Sequence, residues 1–512
     1  MTPLTGTRPP ASSLPPPRLA AARDGLARVT AALAVAAGAA SAARRADGPL
    51  PAGTPAAVLA AAAAALGPAR LPDRGLGTDR ALRLLAGVLA EHGIDLAHPW
   101  AAAHLQPPPL TVAVAADALA GAGNASLDTY DSGACALAVE RWVVGVLAGL
   151  AGLGERADGV LTPGGSLSNL MALLLARDAT AHRRGLDVRR HGVAALPGPV
   201  VFCSELAHFS THRACAALGL GEAAVHPLPV DARRRMRPDA LAAALDALGP
   251  DRTPVAVVAT AGTTDFGTVD PLPQIAGIAA ARGLWLHVDA AYGFGALFSE
   301  RLAGRLAGLE LADSVTLDLH KTGWQPAAAG ALLVADPAAF AALEREVAYL
   351  NPADDAEAGY DGLLGRSLQT TRRADAVKAA ATFLAYGRTG LGRLVDTCHD
   401  LARHAERRVR GEPDLELVGP AELTTVVFRH RGTRPGTADA LNAALRRHLL
   451  ESGAALVGRT MARTGGPGTR PRVCLKLTLL NPAATPADID GLLDAVLDAG
   501  RTCAPLLEED AA

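Results

Sequence analysis

The pattern of apolar and polar positions changes twice along the chain. Residues 1–20 are rich in Pro and Ser, and residues 21–107 have a helical pattern that ends at three consecutive prolines. Short apolar, β-rich runs then alternate with helical stretches. Continuous apolar runs of about four to eight residues are typical of strands buried on both faces. The strands predicted in this way are 200–203, 255–260, 284–288, 314–317 and 331–334.

The alternation of strands and helices predicts an α/β fold. Helical candidates lie at 168–177, 238–248 and 273–282. This order gives a mostly parallel sheet with helices on both faces. Near residue 385 the pattern changes to a long amphipathic stretch and then to alternating segments, including 424–429 and 472–478, which predict a smaller α+β domain. We expect a disordered tail (1–20), a helical docking segment (21–107), a large domain (108–385) and a small domain (386–512).

Composition and charge exclude several classes of protein. Of 512 residues, 50% are hydrophobic and 20% charged, which is too apolar for a disordered chain. Lys and Arg number 49 against 51 Asp and Glu, so nothing favours nucleic acid or an anionic membrane as a partner. Six Cys with no CxxC pair argue against disulfides and structural zinc, and we expect a cytoplasmic protein without a metal. The Ala-rich run 30–43 lies far from Met1, and we interpret it as a docking helix rather than a signal peptide.

Four polar clusters follow candidate strands, at the edge of the sheet where open α/β folds bind ligands. The first is the segment 161–169, which contains Gly164, Gly165 and Ser166 and is followed at once by a helical run. Two glycines, a hydroxyl and a helix N-terminus suit a phosphate group. The alternative is an ordinary glycine-rich turn with Ser168 as the helix cap.

The second and third clusters contain His208 and Asp289. A flat imidazole after a strand can stack on an aromatic ligand, although a lone histidine is more often structural. Asp289 ends an apolar strand and is followed by two alanines, which leave room for a ring. A carboxylate buried there requires a cationic partner, and a protonated pyridine nitrogen would serve. The alternative is an aspartate that caps the next helix.

The fourth cluster ends in His320 and Lys321. A partly desolvated lysine amine can lose its proton and attack a carbonyl carbon. The alternative is a surface lysine after a strand. Taken together, a phosphate cradle, a stacking histidine, an aspartate for a pyridinium nitrogen and a Schiff-base lysine match the requirements of pyridoxal 5′-phosphate.

The motifs resemble those of the group II pyridoxal-phosphate-dependent amino-acid decarboxylases. The similarity extends from about residue 98 to about residue 486, and its strongest segments are 164–166, 207–210, 260–264, 287–292 and 318–321. The resemblance implies the fold type I of aspartate aminotransferase, with a mostly parallel seven-stranded sheet. It also implies Lys321 as the lysine that binds the cofactor covalently, Asp289 as the partner of the pyridine nitrogen and His208 stacked on the ring.

The resemblance implies the remaining cofactor residues as well. Gly165, Ser166 and His320 would hold the phosphate, while Thr260 and Ala291 would line the cofactor site. Of the two arginines in the segment 369–373, the second, Arg373, matches the arginine expected to bind the substrate α-carboxylate, with Arg372 as the alternative.

Within the family the chain resembles the bacterial diamine-forming branch, which acts on 2,4-diaminobutyrate, lysine or ornithine, often in siderophore pathways. Segments 124–131, 259–267, 349–352, 367–373 and 477–482 carry this resemblance. The chain departs from the branch at Thr162-Pro163, at Ser166, after Lys321 and at 327–329, so substrate identity stays open. The alternatives are a decarboxylase of an aromatic or acidic amino acid and an aminotransferase of the same fold.

The family forms homodimers with shared active sites, which has consequences for two segments. We expect 124–131 to reach the site of the other subunit, where Asp128 or Asp131 would meet the distal ammonium of a diamino substrate. The alternative is that both aspartates are caps or interface groups. A mobile loop between residues 350 and 367 contains Tyr360, which we predict as the proton donor of the reaction.

Overall fold

The computed structural model describes residues 18–432, 434, 436–464 and 469–509. Most of the predicted N-terminal tail, residues 1–17, lies outside the described residues, as do residues 465–468 of the Gly- and Arg-rich segment before the last strand. The remaining chain forms two sheets, each covered by helices, with a layer of helices at the N-terminus.

The described residues form twelve strands and sixteen α-helices, joined by turns, short 3-10 helices and loops. The strands are β1 Ala101–Ala102, β2 Asp158–Thr162, β3 Pro199–Ser204, β4 Val225–Leu228, β5 Thr253–Thr260, β6 Trp285–Asp289, β7 Ser314–Leu317, β8 Gly330–Val334, β9 Leu415–Leu417, β10 Thr425–His430, β11 Leu456–Ala462 and β12 Arg472–Thr478. The helices are α1 Gly25–Ala43, α2 Pro55–Leu66, α3 Thr78–His92, α4 Thr111–Gly123, α5 Tyr130–Gly133, α6 Cys135–Ala151, α7 Gly165–Arg183, α8 Val188–His191, α9 Ser210–Ala217, α10 Pro238–Asp246, α11 Leu272–Ala281, α12 Leu319–Thr322, α13 Ala353–Glu357, α14 Ala376–Gly411, α15 Ala438–Glu451 and α16 Pro486–Glu509.

The larger sheet contains seven strands in the order β2-β8-β7-β6-β5-β3-β4. Strand β8 is antiparallel to both of its neighbours, and every other pair is parallel. The predicted mostly parallel seven-stranded sheet is therefore confirmed, and all five strands located in the sequence belong to it. Because a strand turns alternate side chains to opposite faces, Val200 and Phe202 of β3 enter one apolar cluster while Val201 and Cys203 enter another.

Two strands of this sheet had no clear signal in the sequence. Strand β2 begins Asp-Gly, and β4 carries Pro227 in its interior. Proline lacks a backbone donor and is tolerated here because β4 is the edge of the sheet. Short strands with such residues do not form a continuous apolar run, so hydrophobic pattern alone did not find them.

The smaller sheet has the order β1-β11-β12-β10-β9 and packs against α14, α15 and α16. Its first strand comes from the N-terminal segment: Ala101 and Ala102 pair in parallel with Leu456 and Val457. The long helix α14 leads from the large sheet to this one. It is interrupted at Gly387, whose φ of 57° is non-helical, next to the predicted boundary between 385 and 386.

The N-terminal helices α1, α2 and α3 pack on one another and leave much of their apolar surface exposed. Within the described residues, α1 is the one helix long and apolar enough to cross a membrane, judged by length and composition only. In the structure it lies along α3. Large side chains on this layer that remain exposed are Leu26, Leu33, Leu59, Leu85 and Leu89.

Candidate active site

A cavity of about 420 Å³ lies at the carboxyl ends of the large sheet. Strands β2, β3, β5, β6 and β7 each end beside it, in agreement with the rule that open α/β sheets bind ligands at this edge. All eight residues implied for the cofactor line the cavity. They are Gly165, Ser166, His208, Thr260, Asp289, Ala291, His320 and Lys321.

Lys321 lies on the short helix α12, which follows β7 directly. Its Nζ is 2.9 Å from Oδ2 of Asp318, a buried carboxylate one helical turn earlier. The other oxygen of Asp318 accepts a 2.6 Å hydrogen bond from the backbone N–H of Gly165. Asp318 therefore connects the lysine amine to the glycine-rich turn, and the amine is held at the cavity wall by a charge-assisted bond.

The glycine-rich turn forms the other end of the cavity. Gly164 has a φ of 150°, a conformation that L side chains rarely adopt, and a Cβ there would lie 3.2 Å from Cε1 of His320. A Cβ on Gly165 would lie 3.2 Å from both Ala291 and Asp318. Helix α7 begins at Gly165, whose N–H is bonded to Asp318, and the positive dipole end of the helix faces the cavity. This cradle fits a phosphate group.

Asp289 is buried, with 7% of its surface exposed, at the end of β6. Its Oδ1 accepts from the backbone N–H of Ala291 at 3.1 Å, and its Oδ2 accepts from Nδ2 of Asn169 at 2.8 Å. No Lys or Arg among the described residues forms an ion pair with it. A buried carboxylate that faces a cavity without a cationic partner fits a ligand that brings a positive charge, such as a protonated ring nitrogen.

Two further groups complete the fit. The imidazole of His208 bonds Ser210 Oγ through Nδ1 at 2.8 Å, and burial lowers its pKa although the nearby Asp289 opposes the shift. A neutral, flat imidazole is suited to stack on an aromatic ring. Thr260 lines the same cavity, and its buried Oγ1 has no hydrogen-bond partner among the described residues. A polar ligand would satisfy it, so the residues present fit pyridoxal phosphate.

The comparison with known families decides the assignment. The pyridoxal-dependent decarboxylase conserved domain matches residues 89–431, more than half of the chain. The chain belongs to this family. It is a carboxy-lyase that uses pyridoxal phosphate and acts on an amino acid, and the family, the fold type and the cofactor expected from the sequence are confirmed.

Relatives of this decarboxylase share most of its length. The L-2,4-diaminobutyrate decarboxylase of Rhizobium meliloti is 44% identical over 433 residues, 84% of each chain. The enzyme of the same name from Acinetobacter baumannii is 34% identical over 83% of this chain and 84% of its own. Both represent the diamino-acid branch that the sequence resembles.

Solved structures agree with the fold. The glutamate decarboxylase domain of diaminobutyrate-pyruvate transaminase and L-2,4-diaminobutyrate decarboxylase from Vibrio parahaemolyticus has a TM-score of 0.82 and 30% identity, over 94% of this chain and 97% of its own. Oryza sativa TDC with PLP and tryptamine, 24% identical over 94% and 99% of the two chains, has the same fold with a TM-score of 0.83.

The predicted substrate residues do not line this cavity in their own chain. Arg373 bonds Oδ1 of Asp117 at 2.5 Å and Oδ1 of Asp375 at 2.8 Å, and Arg372 is buried against Glu140 at 2.6 Å. Arg373 thus already has two carboxylate partners, which it shares with Lys378. Its alternative, Arg372, belongs to a buried ion pair.

Asp128 and Tyr360 belong to two segments that contact each other. Asp128 accepts from the hydroxyls of Ser126 and Ser132, and its backbone packs closely on Gly362. The ring of Tyr360 contacts Tyr130 edge to face, with 5.6 Å between centroids. The segment 124–131 and the predicted mobile loop therefore form one surface, which we call the outer surface.

The small domain reaches the rim of the cavity through an ion pair that sequence reasoning missed. Asp265 follows the cavity-lining Thr264, and its carboxylate accepts from Lys476 Nζ at 2.9 Å and from Thr460 Oγ1 at 2.5 Å. Both donors lie on the smaller sheet. The pair fixes the small domain against the rim. A lone Lys and a lone Asp, about 200 residues apart, carry no pattern that predicts this contact.

Proposed function

We propose that this decarboxylase converts L-2,4-diaminobutyrate to propane-1,3-diamine and CO₂, with lysine and ornithine as the other candidate substrates. Support comes from the two relatives of that name, at 44% and 34% identity over most of the chain. The main structural support for the reaction is one observation. The amine of Lys321 and the carboxylate of Asp289, which has no ion-pair partner among the described residues, border the same cavity, with a phosphate cradle at its end.

Different residues of the chain would hold different parts of the cofactor. Lys321 supplies the amine that binds the cofactor aldehyde, and Asp318 holds that amine in place through the 2.9 Å ion pair. Gly165, Ser166 and His320 would hold the phosphate at the start of α7. The bound cofactor supplies an electron sink for the pair released when the bond from Cα to the carboxylate breaks.

Asp289, His208, Thr260 and Ala291 orient the ring. The Asp289 carboxylate would accept a hydrogen bond from a protonated ring nitrogen and balance its charge inside the protein. His208 would stack on the ring, and the small side chain of Ala291 would leave space for it. Thr260 offers its unpaired hydroxyl to a polar substituent.

We infer a homodimer in which the outer surface serves the cavity of the partner. The apolar side chains exposed on α1 to α3 are consistent with burial against a second copy. In that arrangement Tyr360 would donate a proton to Cα, Asp128 would bind the distal ammonium, and Arg373 would exchange an aspartate for the substrate carboxylate. The Asp128→Asn variant should raise KM for a diamino acid about tenfold, as for loss of one charged hydrogen bond; an unchanged KM would assign Asp128 to structure.

A cytoplasmic location is also proposed. The six cysteines are all free thiols, and five of them are buried. Free thiols persist in a reducing compartment. A fractionation experiment that finds the native protein outside the cytoplasm would overturn this assignment.

The test of the proposed function is CO₂ release from a panel of L-amino acids by the pyridoxal-phosphate-loaded protein, with amine products identified by mass spectrometry. The panel contains 2,4-diaminobutyrate, ornithine, lysine, glutamate and an aromatic amino acid, with and without a 2-oxo acid. We expect the highest kcat/KM for 2,4-diaminobutyrate. A higher value for glutamate or the aromatic acid would overturn the substrate, and amino transfer to the 2-oxo acid without CO₂ would overturn the reaction.

A further inference from the structure

A buried asparagine stands between the main polar groups of the cavity. Asn169 lies one turn into α7, with 2% of its surface exposed. Its Nδ2 donates to Asp289 Oδ2 at 2.8 Å and to Ser210 Oγ at 2.9 Å. Its Oδ1 is 2.9 Å from Nε2 of His287. The three bonds use both N–H donors of the side chain and its oxygen.

Electrostatics determines which way this amide faces. Turned the other way, the amide oxygen would lie against the Asp289 carboxylate, and two acceptors would meet in a buried site. The nitrogen must therefore face Asp289, which leaves the oxygen facing His287. That oxygen can only accept, so Nε2 of His287 must carry a proton.

The second nitrogen of His287 is then an acceptor. Complete burial lowers the pKa of His287 to about 4, so the ring carries a single proton near neutral pH. Nδ1 accepts from the hydroxyl of Ser314 at 2.9 Å, and that hydroxyl oxygen accepts from Nε1 of Trp285 at 2.9 Å. Every donor in the series is thus assigned.

The sheet places these groups in one row. Trp285, His287 and Asp289 alternate along β6 and so point to the same face of the sheet. Ser314 of β7 pairs with His287 in the strand register. From Trp285 to Asp289, each N–H or O–H points toward the carboxylate. Hydrogen bonds aligned in this way polarise one another and stabilise negative charge at their end.

We propose that Asn169 is a positioning residue, held in one orientation by His287, Ser314 and Trp285, that aims the Asp289 carboxylate at the ring nitrogen of bound pyridoxal phosphate. Through Ser210, whose Oγ also bonds Nδ1 of His208 at 2.8 Å, the same amide links the two groups that orient the ring. The inference rests on the role of Asp289 in the proposed function.

The first test compares Asn169→Ala with Asn442→Ala. Asn442 is an equally buried helical asparagine with three hydrogen bonds, to His430 and Ala438, in the small domain. Apoenzyme is titrated with pyridoxal 5′-phosphate, followed by tryptophan fluorescence and by the visible absorption of the bound cofactor, and the Tm of each apoenzyme is measured.

We expect N169A to raise the half-saturating cofactor concentration about tenfold or more, as for loss of a hydrogen bond to a charged group, and to alter the visible spectrum. The control N442A should lower the Tm of the apoenzyme and leave both cofactor readouts unchanged. An N169A protein with the affinity and spectrum of the native enzyme would overturn the proposal.

A second pair of variants decides the question if N169A does not fold. His287→Gln retains an N–H near the position of Nε2, whereas His287→Phe has a similar ring size without a donor. The glutamine should restore most of the native cofactor affinity and spectrum, and the phenylalanine should not. Equal cofactor affinity and equal spectra in H287Q and H287F would refute the role of the hydrogen-bonded row from Trp285 to Asp289.

Asp289→Asn is included to separate this inference from the proposed function. If D289N leaves cofactor affinity and spectrum unchanged, the proposed role of Asp289 fails and the inference fails with it. If D289N changes both readouts and neither N169A nor H287F does, Asp289 keeps its role and only the positioning by Asn169 is refuted.

Discussion

The cavity and the outer surface are built in different ways, although both contain residues implied for one reaction. Around the cavity, Lys321, Asp289 and His208 follow strands of a single sheet and bond to other buried groups. On the outer surface, Tyr360 is 56% exposed, and the neighbouring Arg373 is paired with the partly buried Asp117 and Asp375. The residues implied for the cofactor border one cavity of a single chain, whereas in the proposed dimer the groups of the outer surface would meet a substrate bound by a second chain.

The physical reason lies in what positions each group. A side chain at a strand end is placed by backbone hydrogen bonds along the whole sheet, and burial of the strands resists its displacement. A side chain on a surface loop is placed by a few local contacts and by whatever covers it. We therefore expect substitutions in the cavity to remove cofactor chemistry, and substitutions on the outer surface to leave cofactor binding intact while they affect turnover.

The largest effect is expected for Lys321→Ala. Without this amine the chain cannot bind the cofactor covalently, so CO₂ release should fall below detection. Borohydride reduction of the native holoenzyme, followed by peptide mass mapping, should place the pyridoxyl group on Lys321. A label on Lys378 or Lys476, the other two lysines of the chain, would contradict the assignment.

Tyr360→Phe tests whether the outer surface supplies catalysis. Loss of a general acid typically lowers kcat about 10²- to 10⁴-fold, and the cofactor spectrum should stay that of the native enzyme. Tyr349→Phe, an exposed tyrosine close by in the chain, is the control and should keep the native kcat. A Y360F enzyme with native kcat would remove Tyr360 from the reaction.

Arg372 and Arg373 are neighbours in sequence, but their substitution is expected to have different effects. Arg373→Ala should raise KM about tenfold, because a charged hydrogen bond to the substrate is lost, with little change in Tm. Arg372→Ala leaves Glu140 buried without its cation and should lower the free energy of unfolding by about 3–5 kcal/mol. Thermal melts and steady-state kinetics on both variants distinguish these roles. A native KM in R373A would assign the substrate carboxylate to another cation.

The smallest effect is expected in the pH dependence of the free energy of unfolding, through the buried His287. The pKa of His287 is lowered to about 4, so between that value and its ordinary value the unfolded chain binds more protons than the folded one. Stability that His287 contributes above pH 6.5 is therefore lost as pH falls toward 4, by at most about 3 kcal/mol.

His287→Gln has no such titration, so its Tm relative to that of the native apoenzyme should rise as pH is lowered from 7 to 4.5. Burial also raises the pKa of Asp270 to about 6, which acts in the opposite direction, but both proteins share it and it cancels in the difference. A pH-independent Tm difference would show that His287 is not kept neutral by burial.

The parts of the fold that were predictable share one property. Strands β3, β5, β6, β7 and β8 are short β-rich runs, and their order with intervening helices implies a mostly parallel sheet. Strand β4, with its internal Pro227, and strand β1, only two residues long, depend on neighbours distant in sequence. Both strands are stabilised by the strands they pair with, and no pattern within their own residues predicts that pairing.

The candidate site shows the same difference, between residues that a local pattern predicts and residues that depend on partners distant in sequence. Lys321, Asp289 and the glycine turn are recognisable because chemistry requires those residue types at strand ends. Asn169 lies three residues after Ser166 of the phosphate motif, yet an asparagine on a helix has many ordinary roles, and no local pattern indicated its partners. The ion pairs of Arg373 with Asp117 and Asp375 were not predicted either. Asp117 lies on α4, 256 residues away, so no local pattern indicates its contact with Arg373.

The sequence alone predicts the sheet, the cofactor and the residues implied to hold it, because residues that follow successive parallel strands lie at one edge of the sheet. Tertiary structure alone decided how those residues are supported. His287 and Asn169 are 118 residues apart, and only the packing of α7 on the sheet brings amide, imidazole and carboxylate into one row. Burial then removes water as a competing partner, so each of these groups must satisfy its hydrogen bonds within the protein.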